Sequence, residues 1–387
     1  MKVNDIHYLT IRMEGSSVFM VEQNKLPFEF SIFEAKTYKD TCIAISTMIT
    51  RGAGAIGAAG GFAMAQAFLE NDPFGFAQGS HGVGEFYRAE PGVPRAESGV
   101  PRAESGVPRA ESRGSFLQQA REEIRNTRPT AQNLFYAIDR VYEAGVKNGT
   151  NAAVEEAQKI AAENVEEGRT IGTYGRELIK DGMKVMTHCN AGWLGFVDYG
   201  TAVSVIHLAH EQGKKFFVWA DETRPRSQGA RLTAWELVNA GIDHAIVPDN
   251  AGAWLMEKGD VDMIIVGADR IAANGDTANK IGTFEKAIVA KRFNIPFYVA
   301  APFSTFDMSI PDGSHIPIEQ RSEDEVHYQT GPDSKGLMHT IRVSAPGSKA
   351  INPAFDVTPA ELITGIITDK GIVKPETNAI AALFNRK

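Results

Sequence analysis

From residue 184 onward, short strand-like runs and longer helix-patterned segments alternate along the chain, and this alternation constrains the fold more than any other feature. The runs fall at 184–187, 216–219, 244–247, 263–266 and 297–300. The run at 263–266, MIIV, reads as a strand buried on both faces, because a central parallel strand has no solvent side toward which to alternate. Repeated βα units of this length require a parallel sheet with right-handed crossovers. The expected class is therefore α/β. A parallel-sheet domain spans about 171–387, and a mainly helical domain with a small strand pair spans about 1–170.

Open α/β sheets bind ligands beyond the carboxyl ends of their strands, so the residues at those tips are the first candidates for chemistry. After the first run comes His188-Cys189-Asn190-Ala191-Gly192; after the second, Asp221-Glu222-Thr223-Arg224-Pro225 with Gln228-Gly229; after the third, Asp249-Asn250; after the fourth, Gly267-Ala268-Asp269. Asp269 is the leading acid, although position alone does not separate it from an ordinary turn or cap residue. Cys189 is followed by small residues that open a helix. A helix N-terminus can lower a thiol pKa and make a usable base or nucleophile, whereas cysteine in general is more often buried and inert. His188 is the sequence neighbour of Cys189, and neighbours on a strand point to opposite faces, so His188 reads as structural. Asp221 and Asp249 read as helix caps or orienting groups. Asn279 and Lys280 lead into a helix-patterned segment at 281–289. Free N–H groups at a helix start, with a lysine beside them, suit an anion such as phosphate.

In the first half, 18–33 suggests a strand pair, and helical spacing covers 38–50 and about 55–69. Between those helices, Gly52, Gly54 and Gly57 spell G-x-G-x-x-G. A dinucleotide fingerprint needs a strand before it and a βαβ unit around it, and both are missing, so a nicotinamide site is rejected. A tight glycine turn with Arg51 beside it remains, which is a plausible anion site. From about 75 to 114 the composition changes, and GVPRAES occurs three times in succession, beginning at Gly92, Gly99 and Gly106. Rich in proline and glycine and poor in apolar residues, this stretch cannot offset its ordering entropy and reads as a flexible insertion. Helical patterning resumes at 116 and runs to about 179, broken at Arg128-Pro129-Thr130 and around 145–150. Arg128 should then sit at a helix-to-helix turn, usually a solvated position.

The 387 residues carry a formal net charge of -8, which argues against nucleic acid or an anionic membrane as partner. Any phosphate must be held by a few local cations. Two cysteines, Cys42 and Cys189, make neither a disulfide framework nor a metal cage, so a reducing compartment is expected. The opening MKVNDIHYLT lacks the apolar core of a signal peptide, and no run is long enough to cross a bilayer, so a cytoplasmic location is expected. No metal cluster with ligand spacing is evident.

Several long motifs then occur in one order: THCNAG around Cys189, DETRPRSQGARLTAWEL from Asp221, GADRIAANGDTANKIGT from Gly267, IPFYVAAPFSTFD from Ile295 and NPAFDVTPAELITGIITDKGIV from Asn352. Together they resemble the methylthioribose-1-phosphate isomerases, which share a fold with the regulatory subunits of translation initiation factor 2B. The resemblance covers nearly the whole chain outside the repeat. It implies a helical N-terminal domain, a Rossmann-like C-terminal domain and a homodimer. It also implies isomerisation of 5-methylthioribose 1-phosphate to 5-methylthioribulose 1-phosphate in methionine salvage, a reaction needing no cofactor or metal. The catalytic cysteine would fall on Cys189 and the catalytic acid on Asp269. Substrate contacts would fall on Arg51, Gly52, Ala53, on Arg128 in RPTAQNL, and on Gln228, Asn279 and Lys280. Two departures stand out. The family usually has a proline after RGA, where this chain has Gly54, and many members carry small residues after NAG, where this chain has Trp193-Leu194-Gly195-Phe196-Val197-Asp198. A sibling isomerase of 5-deoxyribose 1-phosphate or ribose 1,5-bisphosphate, and a non-catalytic regulatory subunit, are the alternatives.

Overall fold

The computed structural model describes residues 1–72, 110–128 and 132–384. The repeat expected at about 75–114 lies, up to residue 109, outside the described residues. The chain divides into two compact units: Met1–Lys25, Phe30–Glu166 and Trp193–Gly200 form one, and Leu26–Glu29, Glu167–Gly192 and Thr201–Lys387 form the other.

In the first unit a three-stranded antiparallel sheet, Ile11–Glu14, Ser17–Val21 and Ile32–Ala35, replaces the expected pair. Helices follow: α1 (Tyr38–Ser46), α2 (Ala53–Asn71), α3 (Ala110–Asn126), α4 (Gln132–Asn148) and α5 (Thr150–Gly175), the last of which belongs to this unit up to Glu166. Thr37 starts α1 through a capping box, its hydroxyl accepting the Asp40 N–H while the Asp40 carboxylate accepts the Thr37 N–H. Almost every residue of α2 is buried, as expected of a helix that is apolar all round. The core gathers Ile11, Met20, Phe62, Leu134 and Ile138. The break expected around 145–150 falls at Gly149, between α4 and α5. Gly145 stays within α4 with the Phe68 ring packed directly on it, so that a Cβ added at this position would lie only 2.4 Å from Phe68 Cζ.

The second unit is built on a seven-stranded sheet: β1 (Lys184–Thr187), β2 (Phe217–Asp221), β3 (His244–Val247), β4 (Met263–Val266), β5 (Phe297–Ala300), β6 (Gly365–Thr368) and β7 (Gly371–Val373). Its order is β3-β2-β1-β4-β5-β6, with every pairing parallel, and β7 closes the β6 edge antiparallel. This is the doubly wound order of Rossmann folds, in which the chain runs outward from β1 to β3 and then returns to the other side of β1 at β4. The second strand lies slightly later than the apolar run suggests, so that Asp221 is its last residue. All four residues of β4 are buried, as a central parallel strand requires.

A second sheet is not foreshadowed by the sequence pattern. Phe306–Asp307, Arg270–Ala272, Thr277–Lys280 and Phe355–Thr358 form four strands in that order. Asn279 and Lys280 therefore end a strand and do not open a helix: the next helix, α6 (Thr283–Arg292), begins only after Gly282, whose φ is +100°. The strands of this hairpin have three and four residues, too short for a period of two to register in the sequence.

Candidate active site

Cys189 lies two residues beyond the end of β1, with its backbone in the left-handed region at φ +65°. Its N–H donates to Thr223 Oγ1 at 2.9 Å, and its carbonyl accepts from Thr233 Oγ1 at 2.7 Å. Asp269 lies three residues beyond β4, and its N–H donates to Ala278 O at 2.9 Å, which ties it to the small hairpin. β1 and β4 are neighbours in register, Met186 opposite Ile264. The thiol and the carboxyl thus leave the carboxyl ends of the two strands that flank the reversal of strand order. The loops that carry them abut, since a Cβ on Gly267 would come 2.7 Å from Ala191 Cβ.

Beneath this loop lies a buried polar network. His188 Nδ1 is 2.8 Å from Asp221 Oδ2, and its Nε2 is 2.8 Å from Ile281 O. A carbonyl oxygen only accepts, so Nε2 carries a hydrogen and donates it to Ile281 O. Burial, reinforced by the Lys286 ammonium, pushes the His188 pKa down. Lys286 Nζ lies 2.8 Å from the same Asp221 oxygen and donates to Asp249 O at 2.6 Å. Burial lowers the Lys286 pKa to about 8, with the Asp356 carboxylate opposing. The Asp249 carboxylate accepts the N–H groups of Thr223 and Arg224, both at 2.7 Å, and burial raises its pKa. His188, Asp221 and Asp249 place donor atoms within 4.8 Å of one another, as a metal site would. Here the Lys286 ammonium already supplies the cation to Asp221, and both oxygens of Asp249 are engaged by backbone. The donor set therefore suits a scaffold better than a metal centre.

Gln228 precedes a π-helical turn, Gly229–Thr233, and its buried Oε1 has no hydrogen-bond partner among the described residues. Asn279 Nδ2 donates to Thr283 Oγ1 at 3.0 Å. Lys280 is buried; its Nζ donates to Ala354 O at 2.9 Å and stands 4.7 Å from the Phe355 ring centroid.

The remaining candidates belong to the helical unit. Arg51 and Arg128 are both buried, and Arg128 follows the end of α3 as expected of a turn residue, though not a solvated one. Gly52, with φ +91°, caps α2 by backbone alone, and a Cβ there would lie 2.3 Å from Gly195 Cα. Only glycine meets both constraints. The Ala53 N–H lies in the first turn of α2, where backbone donors are free of helical partners. The element before this glycine triplet is the helix α1, so the nicotinamide fingerprint lacks its strand. Gly54 and Phe196 explain each other: a Cβ at position 54 would meet Phe196 Cδ1 at 2.2 Å. The glycine after RGA and the bulky segment after NAG are two sides of one packing solution.

Reading the sequence does not single out Thr223, Thr233 or Lys286. For Lys286 a signal exists, a lysine on the face of α6 that also carries Thr283, Ala287 and Ala290, all buried. The two threonines carry none, because their role depends on which strand tips become neighbours.

A doubly wound parallel sheet with a thiol and a carboxyl at its reversal point places the chain among the Rossmann-like folds, a class whose ligands bind beyond the strand tips. The sequence matches the initiation factor 2 subunit family over residues 109–375. It is 44% identical to a methylthioribose-1-phosphate isomerase of Thermotoga neapolitana over 371 residues, 95% of each chain. The structure is similar to that of a 5-methylthioribose 1-phosphate isomerase from Pyrococcus horikoshii OT3, with a TM-score of 0.79 and 38% identity over 98% of this chain and 97% of that one. It is also similar to a structure of translation initiation factor eIF-2B subunit delta from A. fulgidus, with a TM-score of 0.75 and 35% identity over 98% of this chain and 100% of that one. The chain therefore belongs to the initiation factor 2 subunit family, among its methylthioribose-1-phosphate isomerases. Among the described residues no helix is long and apolar enough to cross a membrane.

Proposed function

We propose that this chain isomerises 5-methylthioribose 1-phosphate to 5-methylthioribulose 1-phosphate in methionine salvage, with Cys189 and Asp269 handling the protons. The observation that carries this reading is the exit of both residues from β1 and β4, beside the reversal of strand order. The phosphate of the substrate sits on the anomeric oxygen, so the sugar has no free aldehyde and its ring must open first. Asp269 donates a proton to the ring oxygen, which leaves as the C4 hydroxyl. The Cys189 thiolate removes the proton from C2 to give an enol across C1 and C2. Return of a proton to C1 and loss of the C2 hydroxyl proton yield the ketone, with the phosphate still on C1. No electron acceptor enters or leaves. Arg51, Arg128 and Lys280 are assigned to the phosphate, with backbone donors from Gly52 and Ala53, and Gln228 and Asn279 to further substrate contacts. A homodimer acting in the cytoplasm on a small sugar phosphate, without nucleic acid or membrane partners, completes the proposal.

Cys189→Ala and Asp269→Asn are each expected to lower kcat by ~10³-fold or more while substrate binding persists, as loss of a proton-transfer group should. Calorimetric titration and a coupled ketose assay read the two effects separately, and near-normal turnover in either variant would refute the assignment. In D2O, the proton route places deuterium on C1, whereas a hydride shift from C2 leaves C1 unlabelled. The likeness to an eIF-2B subunit favours one second reading, a non-catalytic binding subunit. The same assay with 5-methylthioribose 1-phosphate, 5-deoxyribose 1-phosphate and ribose 1,5-bisphosphate decides: turnover of none supports the subunit, and preference for another sugar identifies a sibling enzyme.

A further inference from the structure

We infer that Thr223 and Thr233 are positioning residues for the Cys189 thiol, clamping the two backbone groups of Cys189 so that its side chain is held at the strand tip. This rests on the thiol reading above and deepens it.

A non-glycine residue in the left-handed region is strained and persists only where its surroundings over-determine it. Cys189 is such a residue, and so is Thr223, at φ +64°. The Thr223 hydroxyl accepts the Cys189 N–H at 2.9 Å and passes its own hydrogen to Asp221 O at 3.2 Å. The Thr233 hydroxyl donates to Cys189 O at 2.7 Å and accepts from Asn190 Nδ2 at 3.2 Å. Both hydroxyls are thereby committed in direction, and both threonines are fully buried. Neither can turn to another partner without leaving a polar group unsatisfied. The clamp is itself anchored. Asp249 accepts the N–H groups of Thr223 and Arg224, and a Cβ on Gly229 would come 1.7 Å from Asp221 O, so the chain after β2 is packed backbone against backbone. The π-helical turn Gly229–Thr233 ends on Thr233. π turns recur at functional sites because they re-aim side chains that a regular helix would send elsewhere. Without the hydroxyls, the Cys189 backbone is free to relax toward extended geometry, and its sulfur swings away from the substrate.

The test uses the full chain carrying Thr223→Val, Thr233→Val and the two serine variants. Each valine variant is expected to lower kcat by ~10- to 100-fold with KM changed less than about threefold, the signature of misplaced rather than missing chemistry. Its alkylation rate at Cys189, followed against pH with iodoacetamide and assigned by peptide mass, should shift from that of the parent. Serine keeps the hydroxyl and should restore both. If a valine variant fails to fold, alanine at the same position gives the same readings. Parental kcat together with a parental alkylation profile in the valine variants overturns the clamp. The Cys189→Ala control separates the two ideas: an active Cys189→Ala enzyme alongside shifted alkylation overturns only the catalytic role of the thiol, and an inactive one alongside unshifted alkylation and turnover overturns only the clamp.

Discussion

Lys286 shows how a single side chain can do what an ion would otherwise do. It is buried, on a helix face that otherwise carries small residues, and its ammonium meets Asp221 and the Asp249 carbonyl. Asp221 is fully buried, and its second oxygen, Oδ1, has no hydrogen-bond partner among the described residues. Removing one member of a buried pair leaves the other charge uncompensated, which costs about 3–5 kcal/mol. Lys286→Met is therefore expected to lower stability by roughly 3 kcal/mol in urea unfolding, and adding Asp221→Asn should recover part of that loss. A loss below about 1 kcal/mol would mean that the pair contributes little. Residue-scale chemistry is partly legible in the sequence. Cys189 and Asp269 stand at strand tips that the apolar runs themselves mark out. Thr223 and Thr233 are not legible, since a threonine that serves a residue 34 or 44 positions away leaves no local pattern.

Among the elements, α2 is closely packed along its glycine-rich start. Its first turn accommodates Phe196 only because residue 54 is glycine, and Asn164 adds a second limit, with Nδ2 2.5 Å from the position of an added Cβ. Asn164 is not free to move away, because its Oδ1 accepts the Val197 N–H at 2.8 Å. Overpacking of a close-fitted core costs about 1–3 kcal/mol. Gly54→Ala should destabilise the chain by that amount, and Phe196→Ala in the same molecule should remove the part of the penalty due to Phe196, leaving the part due to Asn164. A double-mutant cycle on unfolding free energies measures the coupling, and strictly additive losses would disprove the pairing. Helices are legible at this scale because their apolar period runs over many residues, and the parallel strands because they are short apolar runs set between those helices. The four-stranded sheet is not, and its short strands give Asn279 and Lys280 the look of a helix start.

For the molecule as a whole, Asp356 gives stability a recognisable pH signature. Burial raises its pKa from 3.8 to about 6, against the Gly282 and Phe284 N–H groups that its carboxylate accepts. Because the folded value lies above the unfolded one, the folded chain binds the proton more tightly. The stability this confers is fully present below about pH 4 and is lost as pH rises through 6. Asp356→Asn has no such proton, so its stability relative to the parent should grow by about 2–3 kcal/mol between pH 4 and pH 7. Urea titrations across that range would show it, and a constant difference would count against the shift. The α/β class, the parallel sheet and the strand tips from which Cys189 and Asp269 emerge are already written in the chain, because they follow from local apolar runs and from the handedness of βα units. That β4 returns beside β1, that the Lys286 ammonium meets Asp221, and that two threonine hydroxyls bond the cysteine backbone emerges only in the folded chain. These are contacts between residues far apart in the chain, and their geometry exists only once the sheet has closed its order.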